Sequence, residues 1–292
     1  MTEISNGGNL DEIGDWSVEK LNILKAYSEQ YALILQKQTT PQGGQQFYCG
    51  YIDGFAGAGQ HLHKNTGQLI AGSPAIALSL QTKFDEYHFV DLDAERVKQL
   101  QQLCGTASNA YVHLGDCTDV LLNKLFPMFQ YKDYRRALCF LDPYGMHLNW
   151  KVLATAGGMK SVEVFLNFPV MDINRNVKRE KLEEVDADHR ARMANFWGDE
   201  SWHSAMFAPS NQGNFLGLLS GSGDIQELEK KDNEAFVAVF RKRLIEVAGF
   251  KFVPKPVAMR NSRNAIVYYL FFASNNSTGE KIANHILNKY RK

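Results

Sequence analysis

A chain of 292 residues, 45% of them apolar and with a formal net charge of zero, has the length and balance of one large soluble α/β domain or of a domain carrying an insertion. No run approaches the twenty apolar residues a membrane span needs, and the N-terminus is polar with no hydrophobic signal region, so a cytoplasmic protein without membrane attachment is expected. The four cysteines, Cys49, Cys104, Cys117 and Cys139, lack any C-x-x-C pair, which argues against a zinc or disulfide framework; they read as small buried hydrophobes and no metal is expected.

Residues 1–15 are polar, contain Gly7-Gly8 and are expected to form a flexible N-terminus ahead of one domain over 16–292. Leu21, Leu24, Tyr27, Tyr31 and Leu35 recur at helical spacing, which predicts a helix over 18–38 with Ser17 as its cap. A loop over 39–46 leads into Tyr51-Ile52-Asp53-Gly54-Phe55-Ala56-Gly57-Ala58-Gly59-Gln60, an apolar strand ending in an acid, an aromatic and two closely spaced glycines. Such a corner lets backbone N–H groups approach a polar ligand, because glycine permits positive φ and close contact. The dinucleotide fingerprint G-x-G-x-x-G fails here, since Leu62 stands at the third glycine position. The spacing of Asp53, Phe55, Gly57 and Gly59 instead resembles D-x-F-x-G-x-G, the first motif of S-adenosylmethionine-dependent methyltransferases; the plainer alternative is a sharp turn.

A polar loop over 60–71 follows, and Gly72-Ser73-Pro74 predicts a helix over 75–80 with Ser73 as cap, its N-terminus available to a ligand carboxylate. The strand over 86–90 runs into Asp91, an acceptor-only group suited to the two hydroxyls of a ribose, while Asp93 reads as the cap of a helix over 94–103. After the strand over 110–114, Asp116 has two readings, acceptor for an adenine amino group or cap of a helix over 118–126. The strand over 137–141 delivers Asp142-Pro143-Tyr144-Gly145. This stretch resembles the (D/N)-P-P-(Y/F) element of amino-group methyltransferases with one proline missing; the alternative is an ordinary turn. In such an element the acid accepts from the target NH2 and the aromatic stacks on the substrate plane, so placement matters more than basicity.

The strand over 162–168 brings Asn167 to the same edge, and Asn167 and Arg175 are candidate substrate contacts. An insertion follows over about 174–223, with a charged helix at 177–197, a short apolar helix near Trp202 and a loop at 213–223; it is expected to overhang the strand tips. A helix over 233–248, strands over 251–258 and 265–273 and a helix over 278–290 complete seven strands in the expected order 3-2-1-4-5-7-6, the seventh antiparallel. From Arg241 onward the chain holds eleven Lys and Arg against Glu246 and Glu280, so the C-terminal end is electropositive; this reads as a phosphate-binding face or as a solvated surface.

Taken together, the Tyr51–Gly59 block, Gly72-Ser73-Pro74, Phe89-Val90-Asp91-Leu92-Asp93, Phe140-Leu141-Asp142-Pro143-Tyr144-Gly145, Phe165-Leu166-Asn167-Phe168-Pro169 and Asn174-Arg175-Asn176, with the Trp16–Tyr31 helix and Thr278-Gly279, resemble the three-Cys-motif partner (TcmP) family, a likeness that spans most of the chain. The resemblance implies a class I methyltransferase Rossmann-like fold, a bacterial or phage context and a partner protein carrying three cysteines, of radical-SAM type. On this reading Phe55, Gly57 and Gly59 shape the methionine side of an S-adenosylmethionine site and Asp53 orders the loop or meets the ammonium group. Asp91 takes the ribose and Asp116 the adenine, while Asp142, Pro143 and Tyr144 present an acceptor, most plainly the amino group of a nucleic-acid base. A non-catalytic cofactor-binding module that organises a complex with the three-cysteine partner is the alternative. An NAD-dependent oxidoreductase is disfavoured by Leu62 and by the lack of an evident hydride-site His or Tyr-x-x-x-Lys pair.

Overall fold

Seven strands form the central sheet: β1 (Tyr48–Asp53), β2 (Glu86–Asp91), β3 (Ala110–Leu114), β4 (Arg135–Leu141), β5 (Val162–Phe168), β6 (Val257–Arg260) and β7 (Ile266–Ala273). The structure is a computed structural model that describes residues 11–64, 66–177, 181–209, 228–230 and 232–291. Read from one edge, the strand order is 3-2-1-4-5-7-6, with β7 antiparallel to both neighbours and the other adjacent pairs parallel. This is the order expected from the sequence.

Among the described residues ten α-helices lie between or beside the strands: α1 (Asp15–Gln36), α2 (Ser73–Ser79), α3 (Ala94–Cys104), α4 (Cys117–Val120), α5 (Trp150–Met159), α6 (Val170–Asn176), α7 (Ala187–Trp197), α8 (Trp202–Met206), α9 (Asn233–Glu246) and α10 (Ser277–Asn288). Both sheet faces are covered, so the strands are apolar on both sides, as a parallel sheet requires. The pleat sorts them by parity. Leu138 and Phe140 of β4 and Phe165 of β5 pack toward α1, α2, α3 and α10, whereas Cys139, Leu141, Val164 and Leu166 pack toward α5, α7, α8 and α9. Cys49, Cys117 and Cys139 are buried and all four cysteines are free thiols. Among the described residues no helix is long and apolar enough to cross a membrane.

Several boundaries differ from the sequence reading, each for a local reason. α1 begins at Asp15 with Gly14 as its cap, and Ser17 is buried inside the helix. α7 begins at Ala187, because the Asp186 carboxylate accepts from the Asp188 and His189 amides at 3.0 and 3.2 Å; only a short 3-10 turn, Leu182–Glu184, precedes it. β6 is confined to Val257–Arg260, since Pro254 and Pro256 lack the N–H a longer strand would need, and Phe252 makes only an isolated bridge to Ser274. The helix expected over 118–126 is four α-helical residues followed by a π turn, Leu121–Leu125, and a 3-10 turn that contains Pro127.

Two findings bear on the site. The stretch after Gly59 is not a loop: Gln60–His63 pairs antiparallel with Leu69–Ala71, and Glu12–Ile13 adds in parallel as a third strand. Part of the expected flexible terminus is thus tied down, while residues 1–10 lie outside the described set, as does the loop expected at 213–223. The described part of the insertion packs Phe196 and Trp197 onto Phe168, Phe236 and Phe240, so it thickens the helical layer beside α5 and α9.

Neighbouring glycines in α5 offer a sharp packing test. A Cβ on Gly157 would stand 2.0 Å from the Ala248 carbonyl oxygen, whereas one on Gly158 would meet nothing within 4 Å. Gly157→Ala is expected to destabilise the fold by about 2 kcal/mol or more, and Gly158→Ala to stabilise it by roughly 0.5–1 kcal/mol, in urea denaturation. Equal effects of the two substitutions would contradict this packing.

Candidate active site

Because β1, β2 and β4 run parallel, their C-terminal acids emerge on one rim of the sheet. Asp53 is in register with Phe89 of β2 and Phe140 of β4, so Asp91 and Asp142 lie two residues beyond it on either side. Strand order reverses between β1 and β4, the place where ligands of open α/β sheets bind.

Asp53 is fully buried. One carboxyl oxygen accepts from the Phe55 amide at 3.3 Å, the Ser73 hydroxyl lies near enough to favour the charged form, and Oδ2 has no hydrogen-bond partner. Burial raises this acid to about 7; the Ser73 and Phe55 donors offset part of that, the Asp142 charge adds to it and Lys20 opposes it. Ser73 therefore does other work than the sequence suggests. Gly72 is the helix cap and Ser73 is the first helical residue, itself buried, with its hydroxyl turned to Asp53.

The glycine corner needs positive φ at both glycines and, at Gly59, a missing Cβ. Gly57 has φ +61° and its amide donates to Asp91 Oδ2 at 2.8 Å. Gly59 has φ +78°, and a Cβ there would stand 2.5 Å from Leu103; its carbonyl accepts from the Gly72 amide at 2.9 Å. Asp91 Oδ1 accepts from the Asp93 amide at 2.9 Å. Asp91 thus ties the glycine loop to the end of β2, a task that sequence reasoning did not assign to it.

Beside this corner opens a cavity of about 600 Å³. Gly54 and Phe55 form one wall; Asp91, Leu92, Asp93 and Arg96 a second; Gly115, Asp116 and Cys117 a third; and Tyr144 and His147 close it from the segment after β4. Asp53, Gly57, Gly59, Ser73, Asp142 and Pro143 are not among its wall residues; Asp53 lies directly before Gly54 in the wall. Asp116 caps α4, its Oδ1 accepting from the Thr118 and Asp119 amides at 2.9 and 3.2 Å, and is at the same time part of the cavity wall. Both readings of this residue are compatible with its position. Tyr144 is exposed, and its hydroxyl accepts from Arg96 Nη1 at 2.5 Å and donates to Asp11 Oδ2 at 2.9 Å. Arg96 and Asp11 pair at 3.0 Å, so the tied-down N-terminal segment reaches the cavity rim. The Tyr144 ring accordingly belongs to this cavity.

A second group of side chains surrounds Asp142. Lys20 of α1 pairs with Asp142 Oδ2, and Asn167 Nδ2 donates to Oδ1 at 2.6 Å. Asn167 is fully buried and its own Oδ1 has no partner. Trp16 and Tyr268 pack with ring centroids 5.0 Å apart, and Lys20 Nζ lies 5.6 Å from the Trp16 ring. Burial, then Asp142 and Asp172, push the Tyr268 phenol up to about 12. Pro143 is buried behind Asp142, whereas Arg175 is exposed in the last turn of α6 and is not part of either group. Lys20, Trp16, Tyr268 and Arg96 were not singled out from the sequence. The available signal was a lysine set into the stripe Trp16, Lys20, Leu24, where i,i+4 spacing puts a cation on an inward face.

No family model matches the chain, and no curated protein matches it. Among solved structures the chain is similar to protein LPL1258 from Legionella pneumophila, with a TM-score of 0.47 at 11% identity over 92% of each chain. It is also similar to the methyltransferase domain of bacterial CtHen1, with a TM-score of 0.43 at 8% identity over 89% of this chain and all of the other. A further likeness is to a putative S-adenosylmethionine-dependent methyltransferase from Listeria monocytogenes, at 0.40 and 11% over 87% and 99%. Likenesses this distant leave the site to be read from its own geometry.

The Lys20–Asp142 pair is open to a double-mutant cycle. Lys20→Met strands a partly buried carboxylate and is expected to cost about 2–3 kcal/mol of stability; combined with Asp142→Asn, the loss shrinks by at least about 1 kcal/mol relative to additivity. Strict additivity in denaturant titrations would mean that the pair does not act as a unit.

Proposed function

We propose that the chain is an S-adenosylmethionine-dependent methyltransferase. The observation that carries this reading is the buried Asp53 carboxyl, with one oxygen unpartnered, beside a glycine corner whose neighbouring cavity is walled by Asp91 and Asp116. The residues fit the cofactor. An orphaned buried acceptor suits an ammonium group, and a cavity of about 600 Å³ falls within the size range of small-ligand sites. A carboxylate offers about four acceptor positions, so Asp91 can take ribose hydroxyls while keeping the Gly57 and Asp93 amides. Asp116 Oδ1 is committed to the α4 cap, which leaves its other oxygen for an adenine amino group.

When bound, S-adenosylmethionine supplies an electrophilic methyl group. The chain's own task is then to hold the acceptor. Lys20 and Asn167 fix the Asp142 carboxylate in one orientation, so that its remaining lone pairs can accept from an N–H or O–H donor and draw it toward the rim. Trp16 and Tyr268 offer ring surface for a planar acceptor. Arg260 and Arg263 are exposed at the β6–β7 hairpin, and β7 begins at the rim because Tyr269 pairs with Phe168 at the end of β5. These features support a nucleic-acid base as acceptor, with phosphate contacts from the hairpin. A partner protein with a three-cysteine motif belongs to the same proposal.

One observation favours a second reading, a binding module without turnover: Asp142 already has two partners, Lys20 and Asn167. Asp142→Ala separates the two. In an enzyme, methyl transfer to single-stranded RNA or DNA falls at least about 100-fold while cofactor affinity stays within a few-fold, whereas a module shows no transfer to lose.

Calorimetry tests the main reading. S-adenosylmethionine and S-adenosylhomocysteine are both expected to bind, and Asp91→Ala and Asp53→Asn to weaken binding by about 10-fold or more. In the free protein Asp53 keeps a proton up to about 7 that the unfolded chain has already released, so its contribution to stability falls as pH rises from the ordinary carboxylate range to about 7. Meeting an ammonium group needs the ionised form. Affinity is therefore expected to rise with pH through about 7 in the wild type and to stay flat in Asp53→Asn. No heat with either ligand, in protein shown to be folded, would remove the proposal.

A further inference from the structure

At the other rim of the sheet, where β1, β4 and β5 begin, lies a second cavity of about 610 Å³. Its charge is one-sided. Arg136 at the start of β4, Lys160 after α5 and Lys251 after α9 all line it, and among the described residues none of the three pairs with a carboxylate. The acid in its wall, Glu163, is already engaged: the Tyr27 hydroxyl donates to Oε2, the Ser274 hydroxyl donates to Oε1 at 2.9 Å, and burial pushes the group up to about 7. A cavity holding three cations against one spent carboxyl is suited to an anion.

Two further observations narrow the ligand. Tyr31 lines the cavity at 7% exposure, and its buried hydroxyl has no hydrogen-bond partner. A donor left in that state is costly unless something from outside completes it. At the mouth, the Arg136 guanidinium lies between two rings, 4.7 Å from the Phe47 centroid and 4.0 Å from that of Tyr131. Its Nη1 donates to the carbonyls of Tyr131 and Arg135 at 3.2 and 2.9 Å, which holds the stack in place. Tyr131 is 56% exposed, so one face of an ordered cation–aromatic stack is open to a planar group. Ser277 and Thr278, in the first turn of the twelve-residue α10, form the floor opposite.

We propose that this cavity is a second ligand site, separate from the cavity walled by Asp91 and Asp116, that takes a phosphomonoester joined to a planar ring, the chemistry of a nucleoside monophosphate. The phosphate lies against Lys160, Lys251 and the first turn of α10, and the ring lies on the Phe47–Arg136–Tyr131 stack. Tyr31 donates its hydroxyl to the ligand.

Calorimetry on the full chain with uridine 5′-monophosphate and with inorganic phosphate tests this. The nucleotide is expected to bind at least about fivefold more tightly than phosphate, because only the nucleotide reaches the stack. Reversing the charge at two exposed positions, Lys160→Glu with Lys251→Glu, is expected to weaken both probes at least tenfold. Tyr131→Ala weakens the nucleotide alone. Tyr31→Phe weakens binding about fivefold without lowering the melting temperature of the ligand-free protein, since it removes an unsatisfied donor. Absence of binding, equal affinity for the two probes, or affinities unchanged by the charge reversal would each overturn the proposal.

Discussion

A carboxyl group buried at the end of β1 with only part of its hydrogen-bonding capacity met is the constraint on which the rim formed by the ends of β1, β2 and β4 depends. Taking Asp53 out of water costs free energy, and the fold offsets this only in part, through the Phe55 amide, the Ser73 hydroxyl and a raised proton affinity. The surrounding architecture follows from keeping that arrangement. Ser73 can reach Asp53 because α2 starts beside the glycine corner, and α2 can start there because Gly72 and Gly59 approach closely enough to share a backbone hydrogen bond at 2.9 Å. A Cβ on Gly72 would stand 2.8 Å from the Gly59 backbone, so the approach excludes any other residue.

The two sides of the rim are built on different principles. On the side of β2 and β3, polar groups are fixed mainly by the backbone: Asp91 by two amides and Asp116 by two, so their positions are set by the strand ends and barely by rotamer choice. On the side of β4 and β5, side chains hold one another. Lys20, Asp142 and Asn167 form a chain of contacts drawn from α1, β4 and β5, with Trp16 and Tyr268 packed alongside. A rigid cradle beside an assembled polar cluster suits a constant ligand on one side and a selected one on the other. The Asp11–Arg96–Tyr144 contact links the N-terminal segment, α3 and the β4 loop across the cavity mouth.

The sheet was legible because its strands are largely apolar, and β1, β2, β4 and β5 place a polar residue at or next to their C-terminal ends. Asp53, Asp91, Asp142 and Asn167 mark strand ends as plainly in sequence as in space. Less legible were features whose cause is not periodic. A two-residue strand such as Glu12–Ile13 has no pattern to read, and it is defined only by the hairpin it joins. The reach of Ser73 to Asp53 depends on Gly72 taking the cap position, a choice the local sequence Gly72-Ser73-Pro74 does not settle. Lys20 was hidden for another reason: long cations are normally solvated, and its burial follows from Asp142 lying 122 positions away in the chain. Pro254 and Pro256, by contrast, were visible in the sequence and should have shortened the predicted sixth strand.

A crystal structure with S-adenosylhomocysteine bound tests the central claim most directly. The nucleoside is expected between Asp91 and Asp116, with the amino group of the amino-acid moiety within hydrogen-bond distance of the Asp53 oxygen that now lacks a partner. Ligand density elsewhere on the chain, or a ligand in the cleft that leaves that oxygen unpartnered, would contradict it.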